Sequence, residues 1–432
     1  MKTSADKQAW WDTNFAEQHA GQEWLHVLQK NALNTFVSLG LPSRKQERWK
    51  YTDVAFLQDK NYKKSTTIAV DPIKAIAEAK RLQKTKSIFI VLINGHFSTQ
   101  LSETENLPEN VVLCSMQNAL VNHAALVKTH LVKNANSFAS LNTALMTDGV
   151  FLHLPKNTTI TAPIHFLYIN SHQDNFVNCP RNMIIAEANS EATILEEHCA
   201  QRAENYFTNI VMDISAEENA KIYYHKIQNE SLAATHISQI FVNQKKDSLV
   251  KMCTLAIGSR LNREDVYVNL SEQGAESSIN GFYILSNDDQ HIDNHVQIDH
   301  TAPQGASDMI YKGVLDKKSH AVFNGKVHVH LEAQKTFSKQ ANHNLLLSTE
   351  SAVDTKPELE IYADDVKCSH ADTVGQLDTE SLFYLRSRGL DKQTAMQLLT
   401  YAFATDVMSR ITHPAIKQRM IDLLNEKLAN EN

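Results

Sequence analysis

The sequence predicts a mainly β protein, with a parallel β-helix core flanked by an N-terminal helical α/β unit and a C-terminal helical unit. Three observations lead there. First, apolar residues return at a fixed step: Met212, Ile240, Val268 and Val296 follow one another every 28 residues, as do Ile214, Val242, Leu270 and Ile298. Second, mostly polar residues lie between these two columns (Asp213, Phe241, Asn269, Gln297), so each run alternates with the period of a strand. Third, a second set, Ile194, Ile222 and Val250, keeps the same step, and each member follows a polar turn: NSEA, EENA or KKDS. Strands that return at one step lie parallel and in register. One coil cannot bury its own face, so neighbours must stack. An antiparallel sandwich would need no such phase. The expected division is residues 1–150 for the N-terminal unit, 151–376 for the β-helix and 377–432 for the C-terminal helices.

Before the repeats begin, residues 1–40 carry Trp10, Phe15, Trp24, Leu25, Leu28, Leu33, Phe36 and Val37 at roughly helical spacing, and Pro42 ends the pattern. Residues 71–84 and 117–133 are also helix-like. Between them SIFIVLINGHFS (87–98) predicts two strands around Asn94-Gly95, a hairpin turn signal. This unit is placed to cap one end of the solenoid, whose strand edges must be covered, blunted or paired.

Beyond residue 300 the step drifts, but strand and turn continue through VHVHLEA and ELEIYADDV. Then the period changes to helical. Asp378 is placed to cap DTESLFYLRSRG and Gly389 to end it. Asp391 opens a second helix bearing Ala395, Leu398, Leu399, Ala402, Phe403 and Met408. Pro414 precedes a third with Ile416, Met420, Leu423, Leu424 and Leu428. These helices read either as a cap on the second end or as a docking module.

Composition narrows the function classes. Hydrophobic residues make up 42% of 432, enough for a large core, and the net charge of −7 is mild and well mixed. A nucleic-acid surface would show a basic excess. The N-terminal MKTSADKQAWWDTNF has no secretory h-region, and no run reaches the ~18 apolar residues of a membrane span. Five scattered cysteines without a C-x-x-C pair fit a reduced, cytoplasmic setting. Nucleotide-binding and hydrolase signatures are absent.

Two groups are candidates for chemistry. His291, His295, His300, His320, His328, His330 and His343 crowd into one window; His328 and His330, two apart on an expected strand, share a face and suit metal ligation. Solvent-facing or sheet-edge histidines are the simpler reading. Cys368 and His370 also share a face if ADDVKCSH is a strand, and an imidazolium there would favour the thiolate; on spacing alone they read as a small buried Cys beside an ordinary His. Asp288-Asp289 and Asp364-Asp365 mark turns rather than carboxylate dyads.

The segment KPELEIYADDVKCSHADTVGQLDTESLFYLRSRGL (356–390) closely resembles the SufD branch of the SufB/SufD family, scaffold subunits of the SUF iron–sulfur cluster assembly system. SRKQERWKYTDV (43–54), SFASLNTALMTDGVFLHLP (137–155) and HAVFNGKVHVHLEAQKTFSKQANHNLLLS (320–348) extend the resemblance over nearly the whole chain. It implies a right-handed β-helix between helical domains and a non-catalytic scaffold. It also implies pairing with a SufB-type homologue through the β-helix and binding of a SufC-type ABC ATPase through the C-terminal helices, with Arg386, Arg388, Asp391, Leu398 and Phe403 at or behind that surface. The cargo is a nascent iron–sulfur cluster or iron, with a reduced flavin associated with the complex.

Two departures favour the SufD branch over SufB: Asn342 stands where a SufB-type chain has Cys, and Ala371, not Glu, follows His370. The SufD pattern places His370, with Cys368 beside it, at the cluster site on the subunit interface. Candidate metal ligands are His370, which this resemblance implies, and His328 and His330, which their spacing suggests. The usual H-G-A-T reads His370-Ala371-Asp372-Thr373 here, which bears on the local backbone. An isolated chain is expected to pair with a second copy of itself through its unsatisfied edge. The rival classes are a stand-alone metal-binding protein and a carbohydrate-active β-helix enzyme.

Overall fold

Residues that alternate apolar and polar do form strands from 150 to 375, and these stack into a parallel β-solenoid of about seven turns. The computed structural model describes residues 9–16, 22–66, 71–82, 87–105, 107–132, 136–171, 175–201 and 205–429. Two sheets of 11 and 10 strands face each other, each ordered by alternate strands in sequence, as a coil requires. The first runs through Tyr206–Ala216, Thr235–Gln244, Leu261–Leu270, His291–His300 and His320–Val329 to Ala352–Ile361. The second runs through Glu191–Ala200, Lys221–Asn229, Leu249–Ala256, Glu276–Leu285, Ala306–Leu315 and Phe337–Leu346 to Lys367–Gly375. Their inward faces form one continuous apolar cluster that includes Ile194, Ile222, Met212, Ile240, Val268 and Ile298.

The constant step of 28 residues is only partly the pairing step. Met212 faces Ile240 as expected, but Ile240 faces Val266, and Val266 faces Val296. Val268 instead lines up with Val242 and Ile298. The corner between Ala256 and Leu261 is shorter than that between Asn229 and Thr235, so one coil closes early and the next makes up the difference. The slip is by two residues, which preserves the inward face, because a shift by two leaves every side chain on its side of the sheet.

The polar turns recur for a backbone reason. Asn189, Asn219 and Asp247 take φ of 59°, 57° and 53°, the left-handed region that Asn and Asp tolerate best. The Asn219 amide donates to Asn189 at 2.8 Å and the Asn189 amide to Asn157 at 2.9 Å, so the turns stack as a ladder.

Asn94 and Gly95, at φ 50° and 81°, turn the expected hairpin between Ile88–Ile93 and His96–Glu103. Ile88–Ile93 lies parallel to Ile164–Asn170, and Val112–Ser115 lies antiparallel to Val150–Leu154. The N-terminal unit thus ends both sheets with antiparallel strands. Helices form at Trp10–Ala16, Glu23–Leu39 and Asp71–Lys80; residues 1–8, 17–21, 83–84 and 133 of the expected helical stretches lie outside the described residues. The stretch 117–133 is two helices, Met116–Asn122 and Ala124–His130, parted at His123. A further helix, Ser137–Leu145, is buried throughout and capped by Asn136, whose side chain accepts from the Ala139 amide at 3.0 Å. Trp10, Phe36, Trp49 and Phe138 pack with Phe207, Ile237 and Leu261 on the outer face of the first sheet.

Asp378 and Asp391 cap Thr379–Ser387 and Lys392–Ser409 as expected, and Gly389 takes φ 95°. The last helix is Pro414–Ala429, with the proline at its first position, where its missing N–H is harmless. The last two helices do not cap the open end. Val407, Met408, Ile416, Met420 and Leu424 lie along the outer face of the second sheet against Leu195, Ile227, Leu255, Ile284 and Val314.

Candidate functional site

Strand Lys367–Gly375 is the last of its sheet, and Ala352–Ile361 is the last of the other. Among the described residues neither has a partner strand on its outer edge. Period 2 puts Cys368, His370 and Asp372 on one face, in register with Ser338, Gln340 and Asn342, all three buried. The Thr355 hydroxyl of the opposite sheet donates to the Asp372 carboxylate at 2.7 Å, so this face looks into the mouth of the solenoid. The strand runs unbroken through Ala371-Asp372: the missing glycine does not disturb the backbone, and the acid is held by Thr355.

Cys368 is half-buried against the apolar interior. Burial pushes its thiol up, partly offset by a backbone hydrogen bond from Ser338. His370 itself is exposed, with no hydrogen bond to its imidazole among the described residues. On one strand the two side chains are spaced by about 6.6 Å of backbone rise. They offer a thiol and an imidazole, metal donors of different softness, beside an open strand edge. Asn342, one row along from Gln340, donates to the Tyr311 carbonyl at 3.3 Å and is a packed polar residue of the interior.

On the C-terminal helices Arg386, Arg388, Asp391 and Leu398 are exposed, and the Arg388 guanidinium lies 5.1 Å over the Tyr384 ring. Asp391 is occupied in capping, accepting from the Thr394 amide at 2.9 Å. Phe403 is half-buried beneath Lys312, whose ammonium sits 4.8 Å from the ring and donates to the Phe403 carbonyl at 3.2 Å. Sequence reasoning passed over Phe383, which at 74% is the most exposed large apolar side chain among the described residues, and Tyr384 at 56%. A groove of about 500 Å³ beside them is lined by Tyr384, Leu385, Leu398 and Leu399. Their exposure had no signal in helical spacing, which does not say which apolar face is covered.

The histidine-rich window does not converge on one place. His295 and His300 are buried and His291 is half-buried, with Asp293, Ser307 and Thr52 as their respective partners. His320 pairs with Asp354 and His343 with Thr373. His291 and His320 pack at 4.9 Å between ring centroids, but among the described residues of this window it is His328 and His330 that meet with a carboxylate, Asp299, placed beside both. A group the sequence did not flag, His198, Glu230 and His236, is sealed in the interior. There His236 meets Glu230 at 2.5 Å, His198 meets Glu196 at 2.8 Å and Tyr168 stacks on His198.

Comparison with known families decides the assignment. Residues 168–403 match the SufBD core domain of the SUF iron–sulfur cluster assembly system, and residues 12–166 match the SufBD N-terminal region. The chain belongs to the SufBD family. It is 32% identical to the iron–sulfur cluster assembly SufBD family protein slr0076 of Synechocystis, over 91% of this chain and 88% of that one. It is 27% identical to the iron–sulfur cluster assembly protein SufD of Escherichia coli, over 95% and 97% of the two chains, and 24% identical to SufD of Bacillus subtilis, over 96% of each. As a SufBD chain it carries its family's solenoid between helical flanks, and no helix among the described residues is long and apolar enough to cross a membrane.

Proposed function

We propose that this SufBD chain is a SufD-type, non-catalytic scaffold subunit. It pairs with a SufB-type homologue through the open end of its solenoid and binds a SufC-type ABC ATPase through its C-terminal helices. The observation that carries this reading is the pair of unpartnered terminal strands with His370 exposed on one of them and Cys368 beside it. Ile361, Tyr362 and Val374 are exposed at the same end, apolar surface that a partner would cover. Pro357 sits within the terminal strand Ala352–Ile361, which limits indiscriminate strand addition and favours a specific partner. His370 and Cys368 supply ligands to iron or to the nascent cluster, completed by the partner's side chains. The site then opens when the ATPases move the subunits apart.

The test is co-purification of the full chain with SufB- and SufC-type proteins, with masses read by light scattering. A stable assembly of one SufB-type, one SufD-type and two ATPase chains is expected. A chain that ignores both partners would overturn the scaffold reading while leaving the fold intact.

A further inference from the structure

We infer that Asp299, His328 and His330 form a divalent metal site on the outer face of the solenoid, on the opposite sheet from the strand that carries Cys368 and His370. Each residue offers one ligand atom, and these atoms lie within 4.8 Å of one another. Asp299 and His328 are in register on neighbouring strands, His291–His300 and His320–Val329. His330 follows two residues on; its backbone amide donates to the His300 carbonyl at 3.0 Å, so it continues the same ladder and the same face. The two imidazole rings lie 4.0 Å apart between centroids, and His328 Nδ1 is 3.1 Å from Asp299 Oδ1.

The surroundings orient these groups. The Gln297 amide donates to Asp299 Oδ2 at 3.0 Å, which fixes the carboxylate and leaves Oδ1 toward the histidines. Tyr362 packs edge-on against His328 at 5.5 Å and walls one side. The next residue of the register, Glu360, is held by Lys326 at 2.8 Å and so is kept from crowding the site. A carboxylate fixed by a second hydrogen bond is the arrangement that orients a ligand for a metal. All three candidate ligands are half-buried, so solvent reaches them.

Two imidazoles and one carboxylate select a borderline cation such as Zn²⁺, Fe²⁺ or Co²⁺ over Mg²⁺ or Ca²⁺, which take oxygen ligands. Small side-chain rotations bring the donors to the roughly 2.0–2.2 Å such ions need. Three protein ligands leave a position open for water or for a donor from another molecule. The inference does not rest on the scaffold reading, since it requires only this chain.

The test uses the tag-free full chain and Co²⁺ as the probe, with visible ligand-field absorption and equilibrium titration as readouts. One equivalent of bound Co²⁺ with a visible band, displaced by Zn²⁺, is expected. Asp299→Asn and His330→Gln should each weaken binding at least tenfold, with the far-ultraviolet dichroism and metal-free unfolding temperature of the parent. Absence of a band in excess Co²⁺, or equal binding by a well-folded Asp299→Asn/His328→Gln/His330→Gln variant, would overturn the site.

Discussion

Arg419 of the last helix donates to both carboxylate oxygens of Glu197, at 2.6 and 3.3 Å, across 222 residues of chain. Glu197 is fully buried on the outer face of the second sheet, where His165 also reaches it at 3.4 Å. Burial opposes its ionisation, but the His165 hydrogen bond and the Arg419 charge overcome it and hold the carboxyl at about 2. The pair therefore pins the C-terminal helix to the solenoid at a defined position, beside the apolar contacts of Met420 and Leu424.

Removing one partner leaves the other charge buried. Arg419→Ala is expected to cost about 3 kcal/mol, measured by urea unfolding, because Glu197 loses its cation. Adding Glu197→Gln to that variant should restore a good part of the loss. An Arg419→Ala chain within about 0.5 kcal/mol of the parent would mean that apolar packing alone holds the helix.

Acid should weaken the same region through a different group. His225 is buried on the outer face of the second sheet, in register with Leu195 and Cys253, and both of its ring nitrogens lack a partner among the described residues. Burial, with a smaller contribution from His413, lowers its pKa to about 4. Unfolded, it titrates near 6.5, so between 6.5 and 4 the unfolded chain binds a proton that the folded chain refuses. Stability is then level above pH 6.5 and falls as pH drops toward 4, by about 2 kcal/mol from this group at pH 5. His225→Phe should flatten that part of the profile, and an unchanged slope would assign the loss to other groups.

These two relationships mark where the sequence was readable and where it was not. Period 2 and the recurring turn predicted the solenoid, because Ile222 and Asn219 have roles set by their own backbone and their stacked equivalents. Asp378, Asp391 and Gly389 were legible for the same local reason. The pairing of Ile240 with Val266 was not, since corner length is a property of the coil, not of the strand. Nor was the path of the last helix: Met420 and Leu424 announce an apolar face, but only Leu195 and Glu197 across the fold say where it lies. At the candidate site, the shared face of Cys368 and His370 followed from spacing, while the third donor of the histidine pair, Asp299, is a register neighbour 29 residues away and carries no local signal.

Inside the solenoid, two glycines accept the faces of two tyrosines. Tyr311 lies over Gly281 and Tyr283 over Gly313, each pair in register on adjoining strands. A Cβ at Gly313 would meet the Tyr283 ring at 2.1 Å and Asn344 at 2.5 Å, and neither can move far in a packed interior. Gly313→Ala should therefore cost about 1–3 kcal/mol by overpacking. Tyr283→Leu in the same chain should relieve much of the strain. A Gly313→Ala variant as stable as the parent would show that the tyrosine has room to shift.

The exposed aromatics of the helix Thr379–Ser387 separate docking from folding. Deleting all C-terminal helices would strip apolar cover from Ile227, Leu255 and Ile284 and produce an aggregating chain. Phe383→Asp and Tyr384→Asp touch only surface. They should reduce capture of a SufC-type ATPase more than tenfold, with unfolding temperature within a degree or two of the parent. Full capture by the double variant would place the docking surface elsewhere on the helices.

His370 is the sharpest probe of the open end. Its side chain is exposed on a terminal strand and hydrogen-bonds to nothing among the described residues, so His370→Ala should leave stability within about 0.5 kcal/mol of the parent. If it is a ligand for the cargo, the assembled complex should lose most of its cluster, read as the visible absorption formed on anaerobic reconstitution with ferric iron, sulfide and a thiol. Cys368→Ser should reduce the yield less, because burial keeps that thiol protonated at neutral pH and a cation must first displace the proton. Raising the pH should then narrow the gap between parent and His370→Ala, as the Cys368 thiolate becomes available to take more of the load. Cluster yield unaffected by His370→Ala at every pH would remove the residue from the cargo site and leave the open end as a surface for partner binding alone.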